Sequence, residues 1–179
     1  GCLGYLICDS ETGSAAAVDP TRHVERFVEA ADDRGWRIER VLDTHIHADH
    51  ISGGRRLAAE LDVPYHLGER VAERDLGFEY DPLSRNEVIE LGETELKALF
   101  TPGHTSGMAS YLVDGTALFT GDTVFVDSVG RTELQFGDDD AAAGAALLYD
   151  SLHGTVLAEP DSVVVLPGHF AVSDGGEYA

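Results

Sequence analysis

Three imidazoles and a carboxylate crowd into positions 45–50, in the run Thr44-His45-Ile46-His47-Ala48-Asp49-His50. Neutral imidazole nitrogens and carboxylate oxygens are the ligand set for zinc or iron. The alternation of His45 and His47, on a loop just after a strand, lets neighbouring side chains converge on one point. Asp49 and His50 are then turned toward a second point nearby. The bland alternative is a polar loop carrying surface histidines. Three further runs weigh against it: Thr101-Pro102-Gly103-His104-Thr105, Thr120-Gly121-Asp122-Thr123 and Leu166-Pro167-Gly168-His169. Each sets a ligand-type residue beside a glycine after a strand, where tight backbone geometry aims the next side chain at a site.

Those loops need strands to hold them. Residues 5–8 and 15–18 read as a hairpin around the turn-rich 9–13. Asp19-Pro20-Thr21 then reads as a helix start, with Val24, Phe27, Val28 and Ala31 as its apolar stripe and Gly35 as its stop. A strand over 38–42 leads into the histidine run. A helix over 52–61 and a short strand over 64–67 follow. Residues 68–85 are polar and irregular and read as a surface excursion. Short strands are expected at 88–90, 96–100, 110–113 and 117–120. Residues 139–152 read as a helix with aspartates in its first turn, and 163–166 as a last buried strand. The mixture predicts an α/β fold with sheets packed inside helices, and residues 1–179 as a single domain.

Composition removes several function classes. The chain of 179 residues has 33 Asp+Glu against 12 Lys+Arg, a net charge of -21. Such a surface repels phosphate backbones and anionic headgroups, so neither nucleic acid nor a membrane is expected as a partner. Lys97 is the sole lysine. Many carboxylates with almost no lysine suit a halophilic source, where salt screens self-repulsion; loss of cooperative melting in molar salt would argue against that. Apolar stretches are far too short for a membrane span. No signal peptide is visible at the start, and two cysteines, Cys2 and Cys8, make no disulfide framework, which fits a cytoplasmic location. Both cysteines read as ordinary small apolar or end residues. His23 (placed in the first helix), His66 and His153 fall outside every motif and read as structural or solvated, and Met108 as core.

Taken in order, the motifs resemble the metallo-β-lactamase superfamily: His-x-His-x-Asp-His at 45–50, then His104, Asp122 and His169. The resemblance implies a four-layer αβ/βα sandwich, truncated here at both ends, with a metal site at the sheet edges. In two-metal members the residues matching His45, His47 and His104 hold one ion. Those matching Asp49, His50 and His169 hold the other, and the one matching Asp122 bridges them. The run Thr-His-Ile-His-Ala-Asp-His-Ile-Ser-Gly at 44–53, Gly130-Arg131-Thr132-Glu133-Leu134-Gln135, and residues 148–153 look most like the persulfide dioxygenases related to the ethylmalonic encephalopathy protein. That branch implies a single Fe(II) held by His45, His104 and Asp122, with His47, Asp49, His50 and His169 around it. Two histidines and a carboxylate leave positions open on such an iron.

The implied reaction oxidises a low-molecular-weight thiol persulfide with dioxygen to sulfite and the free thiol. Asp49 is the catalytic candidate beside the metal. Arg131 is the candidate for a substrate carboxylate, because its planar fork matches one with two hydrogen bonds; a surface salt bridge is the alternative. A homodimer and a sulfurtransferase partner are compatible with this branch. The chain departs from it at Asp127-Ser128-Val129 and at Phe170. The competing readings are a glyoxalase II-like thioester hydrolase using all seven ligands for two Zn(II), and a metal-binding domain without turnover.

Overall fold

The computed structural model describes residues 2–73 and 75–170. The hairpin is present: β1 (Tyr5–Cys8) pairs antiparallel with β2 (Ser14–Val18). Parallel pairings then add β3 (Arg37–Leu42), β4 (Tyr65–Gly68) and β5 (Asp81–Leu83). The second sheet contains β6 (Val88–Leu91), β7 (Thr94–Phe100), β8 (Ala109–Val113), β9 (Ala117–Gly121) and β10 (Val164–Pro167). The two five-stranded orders are β1-β2-β3-β4-β5 and β10-β9-β8-β7-β6.

Strand alternation sorts the apolar side chains into layers. Ala16, Val18 and Leu42 pack with Leu96, Ala98, Phe100, Tyr111 and Phe119 between the sheets. Ala15, Ala17 and Val41 face the other way, onto Val24, Ala31, Leu57 and Ala58. These come from around α1 (Glu25–Asp32) and α2 (Gly54–Leu61). On the far face of the second sheet, Leu99, Leu112 and Leu118 pack with Leu152 and Val156, just beyond α3 (Glu133–Ser151). The layers therefore run helix, sheet, sheet, helix, the expected sandwich. Met108 is buried, as expected.

Four expectations are corrected. Asp19-Pro20-Thr21 does not open α1. Asp19 has φ 48°, a left-handed conformation, and its carboxylate takes hydrogen bonds from Thr44 instead. His23 consequently precedes the helix and is exposed. Residues 68–85 are more than an excursion, since they carry a 3-10 turn (Glu69–Glu73) and β5. Helix α3 begins at Glu133, so aspartates 138–140 lie inside it rather than in its first turn. Finally, β10 is an edge strand rather than a buried one, with Val164 59% and Val165 43% exposed. His66 is buried in β4 and His153 is exposed.

Candidate metal centre

Strand direction brings the motif loops together. In the second sheet β7, β9 and β10 run the same way, because β8 lies antiparallel to both β7 and β9. The loops that follow them carry His104, Asp122 and His169 at one edge. The loop after β3 brings His45 to His50 to the same edge, where Thr44 O accepts from Ala109 N at 2.8 Å and Asp43 O from the Tyr111 hydroxyl at 2.8 Å.

Hydrogen bonds fix how each imidazole presents itself. The Thr44 hydroxyl donates to Asp19 Oδ2 (2.8 Å), so it receives the Nδ1–H of His45 at 3.0 Å. A carbonyl can only accept, so His104 donates its Nδ1–H to Arg131 O at 2.8 Å. In the neutral ring each of these bonds places the proton on Nδ1 and leaves Nε2 as the free donor, the form a metal requires. These nitrogens lie 4.0 Å (His45) and 3.5 Å (His104) from Asp122 Oδ2. One donor atom each of His45, His104 and Asp122 falls within 4.8 Å of the others, and all three residues are buried. His47 gives its Nε2–H to Asp19 Oδ1 at 3.1 Å, and His169 spans Asp122 Oδ1 (2.7 Å) and Asp49 Oδ2 (2.8 Å). His45 and His47 rings are 4.2 Å apart, as are those of His47 and His50.

Whether a cation fits is decided by the unpaired atoms. His45 Nε2, His47 Nδ1 and His50 Nε2 are shielded from water and have no hydrogen-bond partner. Buried polar atoms are nearly always satisfied, so three unpaired ring nitrogens in one cluster call for an electrophile. A metal ion supplies one. Burial, with the charges of His47 and His104 adding to it, holds His45 well below the ordinary histidine pKa and therefore neutral, as ligation requires. Burial would also lower His47, but the Asp19 hydrogen bond and the charges of Asp19 and Asp43 outweigh it and raise it to about 9, so a cation at His47 Nδ1 would bind by displacing a proton. Hydrogen bonds and charge from Asp122 and Asp49 raise His169. Asp49 is exposed, and its bonds from His169 and Cys2 overcome what burial it has and hold it below the usual carboxylate range.

All seven sequence-derived ligand candidates lie in this one cluster, in groups that include the set expected for a single iron but differ from the two-metal expectation. His45, His104 and Asp122 form one group, Cys2, Asp49 and His50 a second, and His47 associates with Asp19 and Asp43. Arg131 lines a pocket of about 190 Å³ with Asp49, His104, Asp122, Phe125, Gly130 and His169. Its side chain is 67% exposed and 3.8 Å from Glu133.

Four contributors escaped the reading of the sequence. Asp19 orients Thr44 and His47. Asp43 accepts from Ser52 and from Tyr65 OH (2.7 Å), and burial and the Asp19 charge push its pKa up to about 6. Gln135 accepts from Ser106 N (2.7 Å) and donates to Ser106 Oγ (2.6 Å), pinning the His104 loop. The 130–135 run thus has a physical role beyond resemblance. A Cβ on Gly130 would meet Asp122 O, Arg131 supplies the carbonyl for His104, and Gln135 clamps the loop. Cys2, read as an ordinary end residue, lies in the cluster.

The sequence model of the Metallo-beta-lactamase superfamily matches residues 1–169. The chain belongs to that superfamily. A hydroxyacylglutathione hydrolase of Polaromonas sp. is 36% identical over 175 residues, covering 93% of this chain and 61% of that protein. The mitochondrial persulfide dioxygenase ETHE1 of Bos taurus is 28% identical over 167 residues, covering 92% of this chain and 62% of its own. Among solved structures, ETHE1 from Myxococcus xanthus superposes with a TM-score of 0.84 at 30% identity, covering 99% of this superfamily member and 74% of that chain. The chain thus spans about three fifths of these curated relatives. Among its described residues, no helix is long and apolar enough to cross a membrane.

Proposed function

We propose that this centre belongs to an iron-dependent persulfide dioxygenase, which converts a low-molecular-weight thiol persulfide, dioxygen and water into the free thiol and sulfite. The observation that carries this reading is the buried set His45, His104 and Asp122, two imidazoles and one carboxylate with donor atoms within 4.8 Å. Fe(II) held by these residues would supply the redox chemistry, with coordination positions left open by so small a ligand set. The likeness to ETHE1 from Myxococcus xanthus supports the same reading.

The chain's own groups bind substrate and handle protons. Arg131 sits at the mouth of the 190 Å³ pocket, free enough to swing from Glu133 to a substrate carboxylate. Phe125, whose ring lies 5.8 Å from that of His169, gives the pocket an apolar wall for the carrier's carbon chain. Asp49 and His169, joined at 2.8 Å, are placed to take a proton from the persulfide and to return one to the departing thiol. Asp122 and Asp19 hold the imidazoles in register. A sulfurtransferase is the class of partner that would supply a persulfide.

A second reading has its own support. His47 Nδ1 and His50 Nε2 are unpaired in addition to His45 Nε2, so donors remain for a second cation. Two Zn(II) on all seven residues would suit a thioester hydrolase, the activity named for the Polaromonas relative. Loading separate anaerobic samples with Fe(II) and Zn(II) divides the readings. Oxygen uptake with a thiol persulfide in the iron sample, at near one iron per chain, supports the dioxygenase. Thioester hydrolysis with two zinc ions and no oxygen uptake in either sample sinks it.

A further inference from the structure

The loop that carries His45, His47 and His50 is closed at its base by a buried clasp. Asp43 and Ser52 bracket the loop, nine positions apart, and the Ser52 hydroxyl donates to Asp43 Oδ2. The same oxygen accepts from Tyr65 OH in β4 at 2.7 Å, and Ser52 Oγ accepts from Gly54 N, at the start of α2, at 2.9 Å. The Asp43 backbone is held as well, its N–H donating to His66 O (3.1 Å) and its carbonyl accepting from Tyr111 OH. There is no slack around the clasp, since a Cβ on Gly54 would lie 2.6 Å from the Tyr65 ring and 2.9 Å from Asp43 Oδ2. Asp43 is only 1% exposed, and a carboxylate so buried needs partners for both oxygens. Oδ1 has no hydrogen-bond partner among the described residues. It lies 3.9 Å from His47 Nε2, whose N–H goes to Asp19 Oδ1 at 3.1 Å.

We infer that Asp43 is a positioning residue for the histidine loop: Oδ2 ties the loop's two ends together, and Oδ1 backs the His47 ring jointly with Asp19. An N–H bonded to one carboxylate and attracted by a second stays on that side of the ring. That leaves His47 Nδ1, shielded and unpaired, turned toward the centre. Asp43 touches no substrate and donates to no cation in this role; it acts through Ser52 and His47. The clasp also explains why α2 starts where it does, because Ser52 Oγ serves Gly54 N and Asp43 at once. The inference rests on a cation at the histidine loop, whichever reaction that cation serves.

Two variants of the whole chain separate the clasp from the carboxylate. In Asp43→Asn one carbonyl oxygen remains to accept from Ser52 and Tyr65, but an amide group that can only donate replaces Oδ1 beside the His47 N–H. The metal-free variant should melt within a few degrees of the parent, yet its His47 Nε2–H signal in proton–nitrogen NMR should move. Zn(II), titrated against a chromophoric chelator, should bind it about tenfold or more weakly. Ser52→Ala keeps the carboxylate and opens the clasp, so it should weaken Zn(II) binding several-fold and leave the His47 signal near its parent position. A His47 signal that stays put in Asp43→Asn, or parent-like Zn(II) affinity in either variant, overturns the inference. Should Asp43→Asn fail to fold, Tyr65→Phe joins Ser52→Ala, since each strips one donor from Oδ2; parent-like affinity in both overturns it equally. A parent that binds no Zn(II) sinks the metal centre itself, whereas the metal-free NMR comparison reads the Asp43–His47 relation directly. Oxygen uptake plays no part, so the dioxygenase reading stands or falls separately.

Discussion

His104 donates its Nδ1–H to the backbone carbonyl of Arg131, 2.8 Å away. One residue thereby fixes the tautomer of a candidate ligand through its backbone while its side chain borders the pocket. The two functions are separable by mutation. Arg131→Ala keeps the carbonyl and should bind metal as the parent does, with kcat little changed and KM for a carboxylate-bearing persulfide raised about tenfold, the worth of one charged hydrogen bond of ~1.5 kcal/mol. His104→Ala should lose metal and activity together. Metal analysis beside steady-state kinetics checks both, and equal metal loss in the two variants would refute these roles.

Asp19 serves the centre at one remove. It takes bonds from Thr44 N (2.7 Å), Thr44 Oγ1 and His47 Nε2, while its own backbone sits at φ 48°. Asparagine tolerates that conformation, so Asp19→Asn should fold yet lose the anionic acceptor for His47. Outer partners of ligands are typically worth ten- to a hundredfold in metal affinity. A competition titration with a chromophoric chelator should show a drop of about that size, with the melting temperature of the metal-free protein moving much less.

The ligand loops were legible in the sequence because each places its donor within a few residues of a strand end and a glycine. Cys2 and Asp19 were not, for one physical reason. Their roles arise from contacts between distant segments, Cys2 with His169 and Asp19 with Thr44, which local spacing does not encode. The same bond misled the first helix, since a proline after a potential capping residue reads as a helix start, whereas Asp19 spends its carboxylate on Thr44. Strand β10 misled in the opposite way. Val163-Val164-Val165-Leu166 is apolar enough for a buried strand, but among the described residues the strand pairs only with β9 and stands at the sheet's edge.

Glycine at position 168 is needed for space. A Cβ there would lie 2.7 Å from Asp122 Oδ1 and about 3.0 Å from the Gly121 backbone, which cannot yield. Gly168→Ala should turn the Asp122 carboxylate away from His45 and His104. Overpacking of this kind costs roughly 1–3 kcal/mol, so a lowered melting temperature should accompany weakened metal binding. A variant that melts and binds metal like the parent would contradict the packing.

Away from the candidate metal centre, Asp9 couples the two sheets. Its carboxylate accepts from Thr12 N and Oγ1 in the β1–β2 turn and from Glu93 N and Thr94 Oγ1 across the sandwich. The Thr12 bonds, with those from Glu93 and Thr94, lower its pKa from 3.8 to about 2. A carboxylate whose folded pKa is depressed stabilises above its unfolded value, and that stabilisation is lost as pH falls through the folded one. Stability should therefore drop between pH 3.8 and about 2, and Asp9→Asn should show a shallower drop there. Melting curves across that window test it, and parallel slopes would sink the assignment.

The most direct measurement is the ratio of oxygen consumed to sulfite formed by the Fe(II)-loaded chain given glutathione persulfide. Converting a persulfide to thiol and sulfite takes one dioxygen and one water for each sulfite. The dioxygenase account predicts a ratio of one, lost in His104→Ala. Persulfide left intact without oxygen uptake, beside rapid hydrolysis of a glutathione thioester, would contradict it.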